Sequence, residues 1–499
     1  MSRLAETIGN IKGHIEFARE GVRKRWEESK TRHVLYPNLS TPLPASELLE
    51  SVDFSESNQL IDKNGVMYVI NGKPGDTPET AREYWLDKGM PTTEVNKIVD
   101  GGGHIRLHVK PHEYRRLIGH NPLKAALLII DALAPVYDNN SYPLDASIPG
   151  IDGFNAHQRP HIRTVTQGAY DLLQQAKKLK FRKITRNTEI VTTRGAAGHD
   201  SDNVQSRRLH AKGAPRLLDH IIPSRVSDPL KDRVDAVMVF HNEPELRELL
   251  KKNTDGSTQE GITYLQKLDP AILATIIADK LHIGQDRLPP RWMDSEGILR
   301  DWNIGINAAF TTESAGFVAK AKPGRRSHLE DVGKFVVNIK YNETFEDEYF
   351  TPALGHTLTQ DSTRYPNGRI NLPEAIQAYI PNATHSEVLE AMLWKTYHER
   401  LRLTLMTIFA YNPNAESVEI NINDPDARRG LTKHLSGVLT PEEIEQRIHE
   451  VEHRRYLFTR DNIDQQLGEI QQKFELKGVH LEDLKKAGDE LQSLTAKAA

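Results

Sequence analysis

The chain has no cysteine in 499 residues. That absence excludes disulfides, thiolate-ligated zinc, iron–sulfur clusters and a cysteine nucleophile. No apolar run reaches the roughly 18 residues a membrane-spanning helix requires. The opening residues, Met1-Ser2-Arg3-Leu4-Ala5-Glu6, lack the apolar core of a secretory signal. Excess charge is also lacking: 65 basic and 69 acidic residues give a net charge of −4. A globally basic nucleic-acid coat is thereby excluded, while a local basic patch is not. The expected setting is the cytoplasm or a virus particle.

What is present is the composition of an ordinary water-facing protein, 38% hydrophobic and 27% charged. The length accommodates roughly two to four domains, each with its own core. The fold class expected is α+β: a multi-domain chain with a mixed central region and helical N- and C-terminal segments. In residues 1–34, Leu4, Ile8, Ile11, Ile15, Ala18 and Val22 recur at steps of four and three, the seam of an amphipathic helix. Gly9, Gly13 and Gly21 weaken that helix, so it needs a partner surface, in its own body or in another copy. Residues 35–150 read as an α+β domain. A strand is expected at Val66–Ile70, another at His104–Val109 after the hinge Gly101-Gly102-Gly103, and a buried helix over Leu123–Leu133. The Pro/Gly/Asp-rich stretch from Pro135 to Pro160 is a connector.

A central α+β domain is expected over 160–330 and a mostly helical one over 331–499. In the latter, Lys334–Tyr341 and Val418-Ile420-Ile422 alternate as strands, and residues 386–411 carry one apolar helical face. Thr440-Pro441-Glu442-Glu443 is a helix start: threonine as N-cap, proline in the first turn, glutamate three residues on. Two further helical seams follow, Ile463-Leu467-Ile470-Phe474 and Leu481-Leu484-Leu491-Leu494.

Between Lys177 and Arg216 the chain turns basic, with eleven cationic residues against three anionic ones, a local charge of +8. Arg194, Arg207, Arg208, Lys212 and Arg216 are the candidates for contact with a nucleic-acid backbone. Directly after them stands Asp219-His220-Ile221-Ile222-Pro223, with His241-Asn242 downstream.

This segment resembles the HNH (ββα-metal) nuclease family over about 60 residues. The resemblance implies a first strand at Leu217–His220, a second at Val234–Phe240 and a helix over Glu243–Lys252 with Pro244 near its first turn. It implies that Asp219 binds a divalent metal, Mg²⁺ or Mn²⁺, that His220 deprotonates the attacking water, and that Asn242 or His241 completes the metal site. Phosphodiester hydrolysis needs both an activated water and a cation to neutralise the developing charge. The family's second helix ligand and its cysteine-braced zinc knuckle have no counterpart here.

Val237–Glu243 also resembles the first strand of a GT-A glycosyltransferase, with Asn303–Ala309 and Gly316–Ala319 as a later helix and strand. That family's Asp-x-Asp metal motif is replaced by Lys320-Ala321-Lys322. The histidines His104, His108, His112 and His120 read as a basic, solvated strand edge.

The function expected from sequence is therefore metal-dependent, HNH-like hydrolysis of nucleic-acid phosphodiesters. The rival expectation is a non-enzymatic assembly protein that self-associates through its terminal helices.

Overall fold

A computed structural model describes residues 41–54, 120–133, 158–201, 210–221, 228–284, 309–318, 333–342, 397–425 and 440–476, with isolated positions between them. The expected helix over 1–34, the strands at 66–70 and 104–109, residues 135–157 of the connector expected over 135–160 and the seam at 481–494 lie outside the described residues. The α+β class holds: twelve helices and one four-stranded sheet are formed among the described residues.

Helix α1 is Ala45–Glu50 and α2 is Pro122–Ala132, the latter overlapping the buried helix expected over Leu123–Leu133. Helix α3, Arg159–Leu179, shows why the sequence folds as it does. Ile162, Val165, Ala169, Leu172, Ala176 and Leu179 fall at steps of three and four, with Leu173 beside them, and all are buried. It ends at Lys180, whose φ of 56° places it in the left-handed region that terminates helices. Helix α4, Arg186–Gly198, is the centre of the molecule. Thr185 caps it by accepting a hydrogen bond from the Thr188 amide, and every residue from Thr188 to Gly198 is buried.

The next helices are α5 (His210–Ile221), α6 (Lys231–Phe240), α7 (Glu243–Asn253), α8 (Thr258–Leu265) and α9 (Pro270–Lys280). Helix α9 starts on an Asp269 cap with Pro270 in its first turn, and is buried almost throughout. Helices α2, α3, α6 and α9 all pack on α4, and α5 packs on α6. The approach of α6 to α4 is very close. A side chain at Gly195 would place its Cβ 2.4 Å from Val237 Cγ1, and one at Gly198 would meet Met238 Sδ at 2.8 Å.

The sheet has the order β1 (Phe310–Val318), β2 (Lys334–Tyr341), β3 (Ser417–Asn423) and β4 (His453–Thr459). The outer pairs are antiparallel and β2 runs parallel to β3. The parallel pair requires a crossover, and α10 (His398–Tyr411) lies within it. Helix α10 packs on α8 and α9, tying the sheet to the helical body. Helix α11, Pro441–Glu452, begins with the expected capping box of Thr440 and Glu443. Helix α12, Ile463–Leu476, buries Ile463, Leu467 and Ile470.

Three expectations are corrected. Leu217–His220 and Val234–Phe240 are not strands but parts of α5 and α6. In α6 every residue from Val234 to Phe240 is buried, so no exposed face imposes a period that would separate helix from strand. Residues 217–252 are consequently three helices rather than a ββα unit, and the glycosyltransferase-like first strand is lost with them. Of that motif only the helix at Glu243, with its proline in the first turn, is formed. The domain boundary expected at 330/331 falls inside the sheet, between paired strands β1 and β2. Residues of α1, α2, α3, α4, α6, α9, α10 and all four strands share one apolar core.

Candidate metal centre

Six ionisable side chains converge where five helices begin or end. His161 sits in the first turn of α3 and His210 opens α5. His199 and Asp200 follow the last residue of α4, His241 follows the last residue of α6, and Asp279 is in the last turn of α9. All six are buried. Three of the five helices thus present their C-terminal ends, where the helix dipole favours a cation.

The Asp200 carboxylate organises the cluster. Its Oδ2 lies 3.4 Å from His161 Nε2 and 3.2 Å from His199 Nε2. Its Oδ1 lies 3.3 Å from His210 Nε2 and 3.5 Å from His241 Nε2. Asp279 Oδ1 stands 3.3 Å from His161 Nε2 and 3.9 Å from His199 Nε2. One carboxylate therefore faces one histidine pair with each oxygen, and a second carboxylate completes the Oδ2 side.

The opposite edges of two rings fix which nitrogen carries the proton. His199 Nδ1 bonds the Ala196 carbonyl at 2.7 Å and His241 Nδ1 bonds the Met238 carbonyl at 2.6 Å. A carbonyl only accepts, so each Nδ1 is the N–H and each neutral ring turns the Nε2 lone pair inward. His161 Nδ1 is held by His282 Nδ1 at 2.7 Å. Nitrogen lone pairs facing carboxylate oxygens at these separations repel unless a proton or a metal cation lies between them. Consistent with that need, His199 Nε2 is buried and makes no hydrogen bond among the described residues.

Charge preferences agree for two of the rings and differ for His199. Burial drives the pKa of His241 down to about 3 and that of His161, with help from the Arg287 charge, down to about 4. Both are neutral near pH 7, the form that ligates metals. Burial also opposes charge on His199, but Asp200, Asp279 and the Ala196 carbonyl together outweigh it and raise its pKa. Burial would raise Asp279, yet Lys280, His161 and His199 hold it well below the usual carboxylate range.

Two trios have the spacing for a metal ion, His161/His199/Asp279 and His199/Asp200/His241, with ligand atoms within 4.8 Å of one another. An imidazole Nε2 serves one ion. His199 stands nearer Asp200 Oδ2, on the side of His161 and Asp279, which leaves His210 and His241 for the Oδ1 side. Asp200 thus presents one oxygen to His161 and His199 and the other to His210 and His241.

Cations flank the Asp279 side. Lys280 Nζ is 2.6 Å from Asp279 Oδ2, and Arg287, buried, donates to the His282 carbonyl at 3.1 Å. Burial and the charge of Arg400 depress both Lys280 and Arg287. Arg400 stacks on the Tyr397 ring with its Nε buried and without a hydrogen bond among the described residues. Arg400 thus repels both Lys280 and Arg287, and Lys280 is ion-paired with Asp279.

Family models, curated proteins and solved structures give no match to this chain.

Of the residues singled out from sequence, only His241 belongs to the cluster. Asn242 stands at the N-cap position of α7 without a side-chain capping bond and donates from its amide to Glu245. Asp219 lies on α5 with its carboxylate 3.3 Å from Lys231 Nζ. His220 is in α5, and its side chain is outside the described residues. Arg194 does not face a polyanion: it is buried and paired with Asp228 at 2.6 Å. Arg216 is exposed and Lys212 half-buried on α5, while Arg207 and Arg208 lie outside the described residues. Sequence reasoning missed His161, His199, Asp200, His210 and Asp279. The available signal was the adjacent pair His199-Asp200 closing a run of small residues, Gly195-Ala196-Ala197-Gly198.

Proposed function

We propose that this protein is a metal-dependent hydrolase of phosphate esters, with two divalent ions held by His161, His199, Asp200 and Asp279 on one side and Asp200, His210 and His241 on the other. The observation that carries the reading is the splitting of Asp200, one oxygen toward each histidine pair. The reaction class expected from sequence is kept and its centre moves from Asp219-His220 to Asp200.

The ligand chemistry selects among ions. Four imidazoles with two carboxylates suit Mn²⁺, Fe²⁺, Co²⁺ or Zn²⁺ better than Mg²⁺, which prefers oxygen alone. A pair of such ions supplies charge neutralisation for a phosphoryl group and an activated water. The chain's own residues do the rest. The Ala196 and Met238 carbonyls hold two of the rings in the ligating tautomer. Lys280, Arg287 and Arg400 provide the positive field that draws and orients an anionic ester. Lys212 and Arg216 on α5, the helix that begins with His210, support a nucleic-acid backbone as the ester.

The test is direct. Protein loaded with Mn²⁺, Co²⁺, Fe²⁺ or Zn²⁺ is assayed for metal content and for hydrolysis of bis-p-nitrophenyl phosphate, p-nitrophenyl phosphate and single- and double-stranded DNA and RNA. Retention of two ions and turnover of an ester that disappears in His199→Ala support the proposal. A protein that retains none of these ions and hydrolyses none of these esters overturns it.

A further inference from the structure

The histidines of the cluster are not all held alike. His199 and His241 are fixed through Nδ1 by main-chain carbonyls, which are rigid and can only accept. His161 is fixed by another side chain: its Nδ1 lies 2.7 Å from His282 Nδ1, and the two ring planes are within 3° of parallel with centroids 5.0 Å apart. An imidazole nitrogen can donate or accept, so this contact admits two proton arrangements. With the proton on His161 Nδ1, His282 Nδ1 accepts and His161 Nε2 offers a lone pair to a cation. With the proton on His282 Nδ1, His161 Nδ1 accepts, and a neutral His161 carries its proton on Nε2 toward Asp200 and Asp279.

We infer that His282 is a positioning residue for the metal centre: its Nδ1, acting as acceptor, fixes His161 in the orientation and tautomer that bind the ion on the Asp200 Oδ2 side. This inference rests on the metal-centre reading above.

The surroundings support it. The position of His282 is set from its main chain, where its amide bonds the Asp279 carbonyl at 3.3 Å and its carbonyl accepts from Arg287. The ring therefore arrives from the same turn that supplies the ligand Asp279, which couples the two ligands of one ion. On its other side His282 lines an open cavity of about 520 Å³ together with Arg163, Thr312 and Glu313. A substitution at 282 thus borders space as well as core. Outer-shell partners of metal-binding histidines typically change metal affinity by roughly ten- to a hundredfold when removed.

The experiment uses the full chain and Co²⁺ alone, followed by titration calorimetry and by the d–d absorption of the bound ion. His282→Leu keeps the bulk and removes the acceptor. His282→Asn keeps an acceptor oxygen close to the position of Nδ1. The expected result for the leucine variant is affinity weakened roughly tenfold or more for one of two ions, with a changed spectrum for that ion. The asparagine variant should return to within about threefold of the parent, since the hydrogen bond is restored. If the parent chain binds no Co²⁺, the metal-centre reading fails. If the parent binds two ions and the leucine variant binds both with unchanged affinity and spectrum, the role of His282 alone is overturned. An asparagine variant that folds but is as weak as the leucine one also overturns it. Should the leucine variant not fold, the asparagine variant is compared with the parent: affinity within about threefold supports the role, and a loss of roughly tenfold or more overturns it.

Discussion

His199 and Asp200 are sequence neighbours, yet they face one another across the end of α4, with His199 Nε2 3.2 Å from Asp200 Oδ2. Both ends of the contact are constrained. The ring is tied back to Ala196, and the carboxylate is shared with three further histidines. Removing the shared carboxylate should therefore disable both cation places at once. Asp200→Asn is expected to bind neither ion and to lose at least about a hundredfold in ester hydrolysis, a loss on the scale of electrostatic contributions in active sites. Metal analysis after gel filtration checks it, and two ions in the purified variant would contradict the bridging role.

Removing a ligand from one side should be selective. His241→Ala is expected to leave one ion of two, because His161, His199 and Asp279 remain for the other. Inductively coupled plasma mass spectrometry gives the stoichiometry. Equal loss of both ions would show that the two places are not separable along Asp200.

Close helix approach should matter to the site as well as to the fold. Gly195→Ala would drive a methyl group into Val237, 2.4 Å away. Overpacking of this kind costs about 1–3 kcal/mol, read as a lowered urea midpoint. Because α6 carries Val237 and is followed by His241, the shift should also weaken the ion on the Asp200 Oδ1 side. Unchanged stability would mean that α4 and α6 part without cost.

The basic stretch divides by burial. Arg194→Ala removes one partner of a pair whose arginine is buried. It should destabilise by roughly 2–3 kcal/mol, less than a fully enclosed pair because Asp228 reaches solvent. Lys212→Ala with Arg216→Ala should barely change stability while weakening nucleic-acid binding and lowering its salt dependence. Fluorescence anisotropy at several salt concentrations, beside a melting curve, separates the two effects. An Arg194→Ala variant that melts like the parent would contradict the structural role given to Arg194.

A cap remote from the centre serves as a control. Thr440→Ala breaks the capping box of α11 and should cost about 1 kcal/mol. Metal stoichiometry should not move, and a change in it would reveal coupling between α11 and the cluster.

Local signals in the chain were sufficient for elements with a two-faced environment. The box at Thr440, the strand Lys334–Tyr341 with its alternating burial, and the apolar face of Ile463-Leu467-Ile470 were all legible, because one side of each meets water and imposes a period. Helix α6 was not legible. Buried on every side, Val234–Phe240 has no polar face to reveal whether its period is two or 3.6. That one ambiguity gave the nuclease-like motif its second strand and drew attention to Asp219 and His220.

The candidate metal centre was hidden for a different reason. Its six residues are scattered from His161 to Asp279, and only His199 and Asp200 are neighbours in the chain. The sequence by itself determined the α+β class, the helix start at Thr440 and the absence of any thiol, since these depend on residue type and near neighbours. Only the tertiary structure decided the site. Close packing of α3, α6 and α9 around α4 brings their ends together, and there the lone pairs of separate rings meet two carboxylates that sequence distance had kept apart.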